Sequence, residues 1–108
     1  MAMAVATGVV AQNREQEQKQ ARQVEAAFAR ALEVRAKLKI PLRKVSATFI
    51  KNERGITVFK CLAGANGASA KGEAYYRPEN SVSVYITEIN VGGVKKLPVE
   101  SWFRVPLS

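Results

Sequence analysis

The chain has 108 residues, with 17 Lys and Arg against nine Glu, no Asp, no His and one Cys, for a net charge of +8. This length supports one domain with one modest core, and the charge points to a polyanionic partner. Without imidazole, a second thiol or a dense carboxylate cluster, the usual zinc, haem, dithiol and imidazole-based sites are excluded. The expectation is a non-catalytic protein with no cofactor and no metal.

Residues 1–11 are apolar and rich in Ala and Val. They lack the positively charged opening of a signal peptide, and no segment reaches the roughly 18–20 apolar residues of a membrane span. They read as an N-terminal arm, with Val5, Val9 and Val10 as candidate protein contacts. The expected setting is cytoplasmic or within a nucleoprotein assembly, not secreted and not membrane-bound.

Residues 12–39 read as one helix. Gly and Pro are absent, and Ala, Gln, Glu, Arg and Lys dominate. Asn13 is a candidate cap, with Gln16 three residues on. Ile40-Pro41 is the expected stop, because the residue before proline avoids the helical region. The run from Gln12 to Gln20 has little apolar face. Beyond it, Val24, Ala27, Ala31, Val34 and Leu38 recur at helical spacing, flanked by Phe28 and Leu32, and are expected to pack on a sheet.

From Val45 the period changes to two. Strands are expected at 45–51, 56–63, 72–77, 81–89 and 99–105. Asn52-Glu53-Arg54-Gly55 reads as a tight hairpin, 64–71 as a longer flexible loop, Arg77-Pro78-Glu79-Asn80 as a turn and Asn90-Val91-Gly92-Gly93 as a loop. Cys61 lies in an apolar run and reads as a core residue. The stretch 64–72 departs from phosphate-loop spacing, because Gly72 and not Ser or Thr follows Lys71. The expected fold class is α+β: a long N-terminal helix on a four- to five-stranded antiparallel meander sheet, within a single domain over 12–108.

If Arg77 pairs with Ser81, strand alternation sorts the two flanking strands into faces. Ala74, Tyr76, Val82, Val84 and Ile86 share an apolar face. Tyr75, Arg77, Ser81, Ser83 and Tyr85 share the opposite one. Exposed sheet tyrosines beside arginine suit the stacking of unpaired bases.

Arg35, Lys37, Lys39, Arg43 and Lys44 crowd the helix end, and Lys60, Lys71, Arg77, Lys95 and Lys96 fall on strands or turns. All are candidate phosphate contacts. Trp102 is a candidate interface anchor and, with Phe59, a further stacking ring.

Two functions follow. One is a basic protein that binds nucleic acid, single-stranded or structured, through Lys and Arg on phosphates and Tyr75 and Tyr85 on bases. The alternative is a protein-interaction module. That would be a self-assembling subunit of virion, mobile-element or filament type, hence a homo-oligomer, or an inhibitor or adaptor docking on an acidic protein.

Overall fold

The computed structural model describes the backbone of residues 2–96 and 102–106, with side chains described for 15–95 and 102–106. In chain order it holds α1 (Ala2–Ala36), a 3-10 turn (Leu42–Lys44), β1 (Val45–Glu53), β2 (Ile56–Ala65), β3 (Ala68–Arg77), β4 (Ser81–Val91), β5 (Val94–Lys96) and β6 (Trp102–Pro106). The strands form one antiparallel sheet in the order β1-β2-β3-β4-β5, with β6 also on β4. The fold is α+β, with the N-terminal helix lying on the sheet.

Helix α1 starts earlier and ends earlier than the composition suggests. Residues 2–11, expected as an arm, continue the helix, which places Asn13 in its interior rather than at a cap. Its 35 residues correspond to about 52 Å at 1.5 Å per residue. That accounts for the molecule's longest dimension of 56 Å. The helix stops at Ala36 because Lys37 takes a left-handed conformation (φ 54°) and the Leu38 N–H donates to the Leu32 carbonyl at 3.0 Å. Left-handed residues commonly close helices this way. The reversal folds Leu38 and Ile40 back onto the core before Pro41 is reached.

The buried helix stripe is Val24, Ala27, Phe28, Ala31 and Leu32. Val34, expected on it, is 51% exposed. It lies two residues past Leu32, about 200° round the helix, and so points away from the sheet. Facing the stripe are Phe59, Cys61, Ala63, Ala70, Ala74, Val82, Val84, Ile86 and Ile89. Full burial of Phe28, Phe59 and Leu32 contributes about 1.5–3 kcal/mol each. Cys61 is a core residue, and burial pushes its thiol pKa up to about 12.

Two hairpins are tighter than expected, and the one at Arg54-Gly55 is tight as expected. The stretch 64–71 is not a long loop. β2 and β3 pair out to Ala65↔Ala68, and only Asn66-Gly67 turns, both at positive φ (53° and 78°). Arg54-Gly55 and Gly92-Gly93 make equivalent two-residue turns, so strand runs directly into strand. Between β3 and β4, the Asn80 N–H donates to the Arg77 carbonyl at 3.1 Å across a three-residue loop, which sets Arg77↔Ser81 as the first pair. This is the register that sorts the two faces as expected.

β5 and β6 lie on the same edge of β4 and run in the same direction. β5 pairs with Ile89–Val91 and β6 with Ser81–Tyr85. The start of the expected last strand, 99–101, lies outside the described residues. Among the described residues, no helix is long and apolar enough to cross a membrane.

Candidate functional site

One face of the sheet packs on α1, and no described element covers the other. The pairing registers arrange the open face in rows across the strands. One row reads Thr48–Lys60–Glu73–Tyr85–Trp102, and the next reads Lys51–Val58–Tyr75–Ser83–Arg104. Each strand supplies every second residue to this face, while the residues between them enter the core.

Three aromatic rings meet towards the β6 end of these rows. The Trp102 ring lies 4.8 Å from that of Tyr85 at 35° and 5.6 Å from that of Tyr75 at 38°. Such tilted contacts are each worth about 0.5–1.5 kcal/mol beyond the area they bury. The tyrosines are half-buried, and Trp102 retains 51% exposure. Ser83, between Tyr75 and β6, is only 7% exposed and accepts a hydrogen bond from Arg77 Nε at 2.9 Å. The Tyr75 hydroxyl donates to Glu73 Oε2 at 2.7 Å. That bond holds the phenol neutral, so its pKa lies above the ordinary tyrosine value.

Beside Tyr75, a shallow hollow of about 260 Å³ has Ile56 and Val58 on its floor and Lys51, Glu53 and Arg54 on its rim. It continues the aromatic surface towards the β1–β2 turn. On the other side, Glu88 joins Lys95 at 3.2 Å and Lys71 at 3.7 Å, tying β3, β4 and β5 together. The lysines hold the Glu88 carboxyl below the ordinary glutamate value, with Lys95 contributing most. Arg104 pairs with Glu79 at 3.1 Å and Lys51 with Glu53 at 3.1 Å.

No protein-family model matches this chain, and neither the curated proteins nor the solved structures contain a significant match to it. Its chemistry therefore rests on the geometry of its own residues.

The open face gathers Lys60, Lys71, Tyr75, Arg77, Tyr85, Lys95 and Trp102 from five strands. The remaining cations lie elsewhere. Arg35 is on the helix side, its guanidinium carbon 5.2 Å from the Phe103 ring centre. Lys37, Lys39, Arg43 and Lys44 are exposed on the link between α1 and β1. Lys96 pairs through its backbone with Ile89. The side chains of Lys96, Val5, Val9 and Val10 lie outside the described residues. Phe59 is not a surface ring: it is fully buried on the helix side, edge-on to Phe49 at 6.2 Å. Its neighbours on β2 show why, since Val58 and Lys60 take the open face and alternation sends Phe59 inward.

Sequence reasoning passed over Glu73 and Val58. Glu73 carries a readable signal, because it is two residues before Tyr75 and so shares its face. The cations Lys51, Arg54 and Arg104 reach the open face or its rim only through the pairing of β1 and β6.

A second recess, of about 610 Å³, lies between α1 and the β3–β4 turn and is lined by Glu15, Gln16, Lys19, Gln20, Gln23, Tyr76 and Asn80. The Tyr76 hydroxyl donates to Gln23 Oε1 at 2.9 Å, which pins the polar stretch of the helix to the sheet.

Proposed function

We propose that this protein binds single-stranded nucleic acid across the open face of its sheet, without catalysing a reaction on it. The observation that carries the reading is the Tyr75–Trp102–Tyr85 cluster, an aromatic surface on an uncovered sheet face with basic side chains around it. Unpaired bases stack on such rings with little regard to sequence, at about 1–3 kcal/mol per base. Lys51, Arg54, Lys60, Lys71, Arg77, Lys95 and Arg104 stand within or beside the same rows, where a phosphate backbone crossing the sheet would pass. Duplex is the poorer ligand, because its bases are already stacked and a broad sheet does not enter its grooves as a helix or ribbon does.

Trp102 is the chain's one tryptophan, so the protein carries its own reporter at the proposed site. Titration with oligo(dT) at about 50 mM salt is expected to quench its fluorescence. The affinity is expected to fall with salt at a log–log slope of about −2 to −3.5, as for three to five phosphates at about 0.7 per contact. Absence of both quenching and binding at that salt would retire the reading.

The continuation of α1 back to Ala2, ahead of Ala21, the first of its described residues packed against the core cluster, favours a second reading, in which the chain self-associates through this helix. Sedimentation equilibrium of the full chain separates the two: a stable oligomer without affinity for oligonucleotides supports self-assembly alone.

A further inference from the structure

Glu73 is the one residue in the middle of the open face that phosphate binding does not call for. It stands in register between Lys60 and Tyr85, in the row that ends at Trp102. Three other glutamates on or beside this face, Glu53, Glu79 and Glu88, each pair with a cation. Glu73 does not. Among the described residues its hydrogen bond comes from the Tyr75 hydroxyl, on Oε2, and Lys60 forms no ion pair with it although it lies directly across the ladder. A carboxylate has about four acceptor positions, so most of its capacity is unused.

A bare carboxylate repels a passing phosphate, but it suits a different part of the same ligand. Bases laid on an aromatic surface turn their edges outward, and single-strand binders read those edges by hydrogen bonds. A carboxylate only accepts, so it recognises bases by their N–H donors. Guanine presents two adjacent donors on its Watson–Crick edge, N1–H and the N2 amino group, which match the two oxygens of one carboxylate. Cytosine and adenine present one amino group beside a ring acceptor. Thymine and uracil present one N–H between two carbonyls, both repelled by the carboxylate. The Tyr75 bond fixes the carboxylate's orientation beside the rings, and Lys60 offsets its charge towards the backbone.

We propose that Glu73 reads the Watson–Crick edge of a base stacked on the Tyr75–Trp102–Tyr85 cluster, and that it makes the protein prefer guanine-containing single strands to thymine or uracil tracts. The inference rests on the reading that this face binds single strands.

The test compares labelled d(GT) repeats, the inosine equivalent d(IT) and oligo(dT) of equal length, by anisotropy at one low salt concentration, with wild type and Glu73→Gln. Wild type is expected to bind d(GT) about 5- to 150-fold more tightly than oligo(dT), the range for one bidentate base contact. The inosine repeats, which keep N1–H but lack the amino group, are expected to fall between. In Glu73→Gln the preference is expected to disappear while affinity for oligo(dT) holds or rises, because a negative charge has been removed.

Equal wild-type binding of all three ligands overturns the proposal and leaves the stacking surface standing. So does inosine binding as tightly as guanine, a result that needs no variant, or a preference that persists in Glu73→Gln. Failure of every ligand to bind removes the underlying reading, and this inference with it.

Discussion

Tyr75 and Trp102 sit on strands separated by β4, yet their rings are 5.6 Å apart. Directly opposite Tyr75 on β4 is Ser83, small and buried, so no bulky side chain holds the rings apart. Trp102 reaches across from its own partner, Tyr85, to touch Tyr75 on the diagonal. Three residues spread over 28 positions of chain thus form one surface.

This arrangement separates binding from stability. Tyr85→Ala and Trp102→Ala are each expected to weaken oligo(dT) binding by about 1–3 kcal/mol, the value of one stacked base. Because Trp102 is half exposed, the stability cost of its removal is expected near the 0.5–1.5 kcal/mol of an aromatic pair, at about 1 kcal/mol. Urea denaturation set beside anisotropy checks both. Losses in stability without losses in affinity would count against the stacking role.

At Gly72 the Phe28 side chain of the helix packs directly against the sheet backbone. A Cβ there would lie 2.5 Å from the Tyr85 carbonyl oxygen and 2.8 Å from Phe28 Cε1. Gly72→Ala is therefore expected to destabilise by about 1–3 kcal/mol through overpacking. Gly64→Ala is the control, since its Cβ would meet nothing closer than 3.7 Å and its φ is unexceptional. That variant is expected to stay within about 0.5 kcal/mol of wild type in the same urea series.

The Glu88 clasp makes an acid-side prediction. Its folded-state pKa is lowered by Lys95 first and Lys71 after it. A lowered carboxylate contributes stability above its unfolded value, and the contribution is lost as pH falls through the folded one. Glu88→Gln is expected to flatten the acid limb of the stability–pH curve, with little change in its shape above neutrality. An unchanged acid limb would mean that the exposed pairs are screened to nothing.

Tyr75 titrates in the opposite sense. Its hydrogen bond to Glu73 raises its pKa, so its contribution is present below the ordinary tyrosine value and lost as pH rises through the raised one. An absorbance titration of phenolate, compared with that of Tyr75→Phe, is expected to show Tyr75 ionising late in wild type and at lower pH in Glu73→Gln.

Cys61 is expected to be inert to thiol reagents at pH 8 in the native protein and to react at once in denaturant. It is fully buried, its thiol pKa is pushed up to about 12, and the thiolate is the reactive form. Rapid native labelling would place it at the surface.

Local chemistry determined much of this protein by itself. Period-two alternation sorted the residues around Pro78 into two faces once Arg77 was supposed to pair with Ser81, and the structure adopts that register, with Tyr75, Arg77, Ser83 and Tyr85 on one face and Ala74, Tyr76, Val82 and Val84 on the other. The helix stripe from Val24 to Leu32 was legible for the same reason, because its periodicity is carried by neighbouring residues. The Asn66-Gly67 turn was legible in principle, but the small residues around it read as a flexible loop until β2 and β3 paired through them.

Tertiary structure decided what no local pattern holds. The pairing of Trp102–Pro106 with Ser81–Tyr85 has no connecting turn to set its register, since β5 takes the turn-proximal end of β4's edge. Only that long-range pairing brings Trp102 to the tyrosines. It was likewise the packing of α1 on the sheet that divided the cations between the open face and the helix end. A sequence specifies its alternation and its turns residue by residue. Which distant strands share an edge depends on the whole core closing at once.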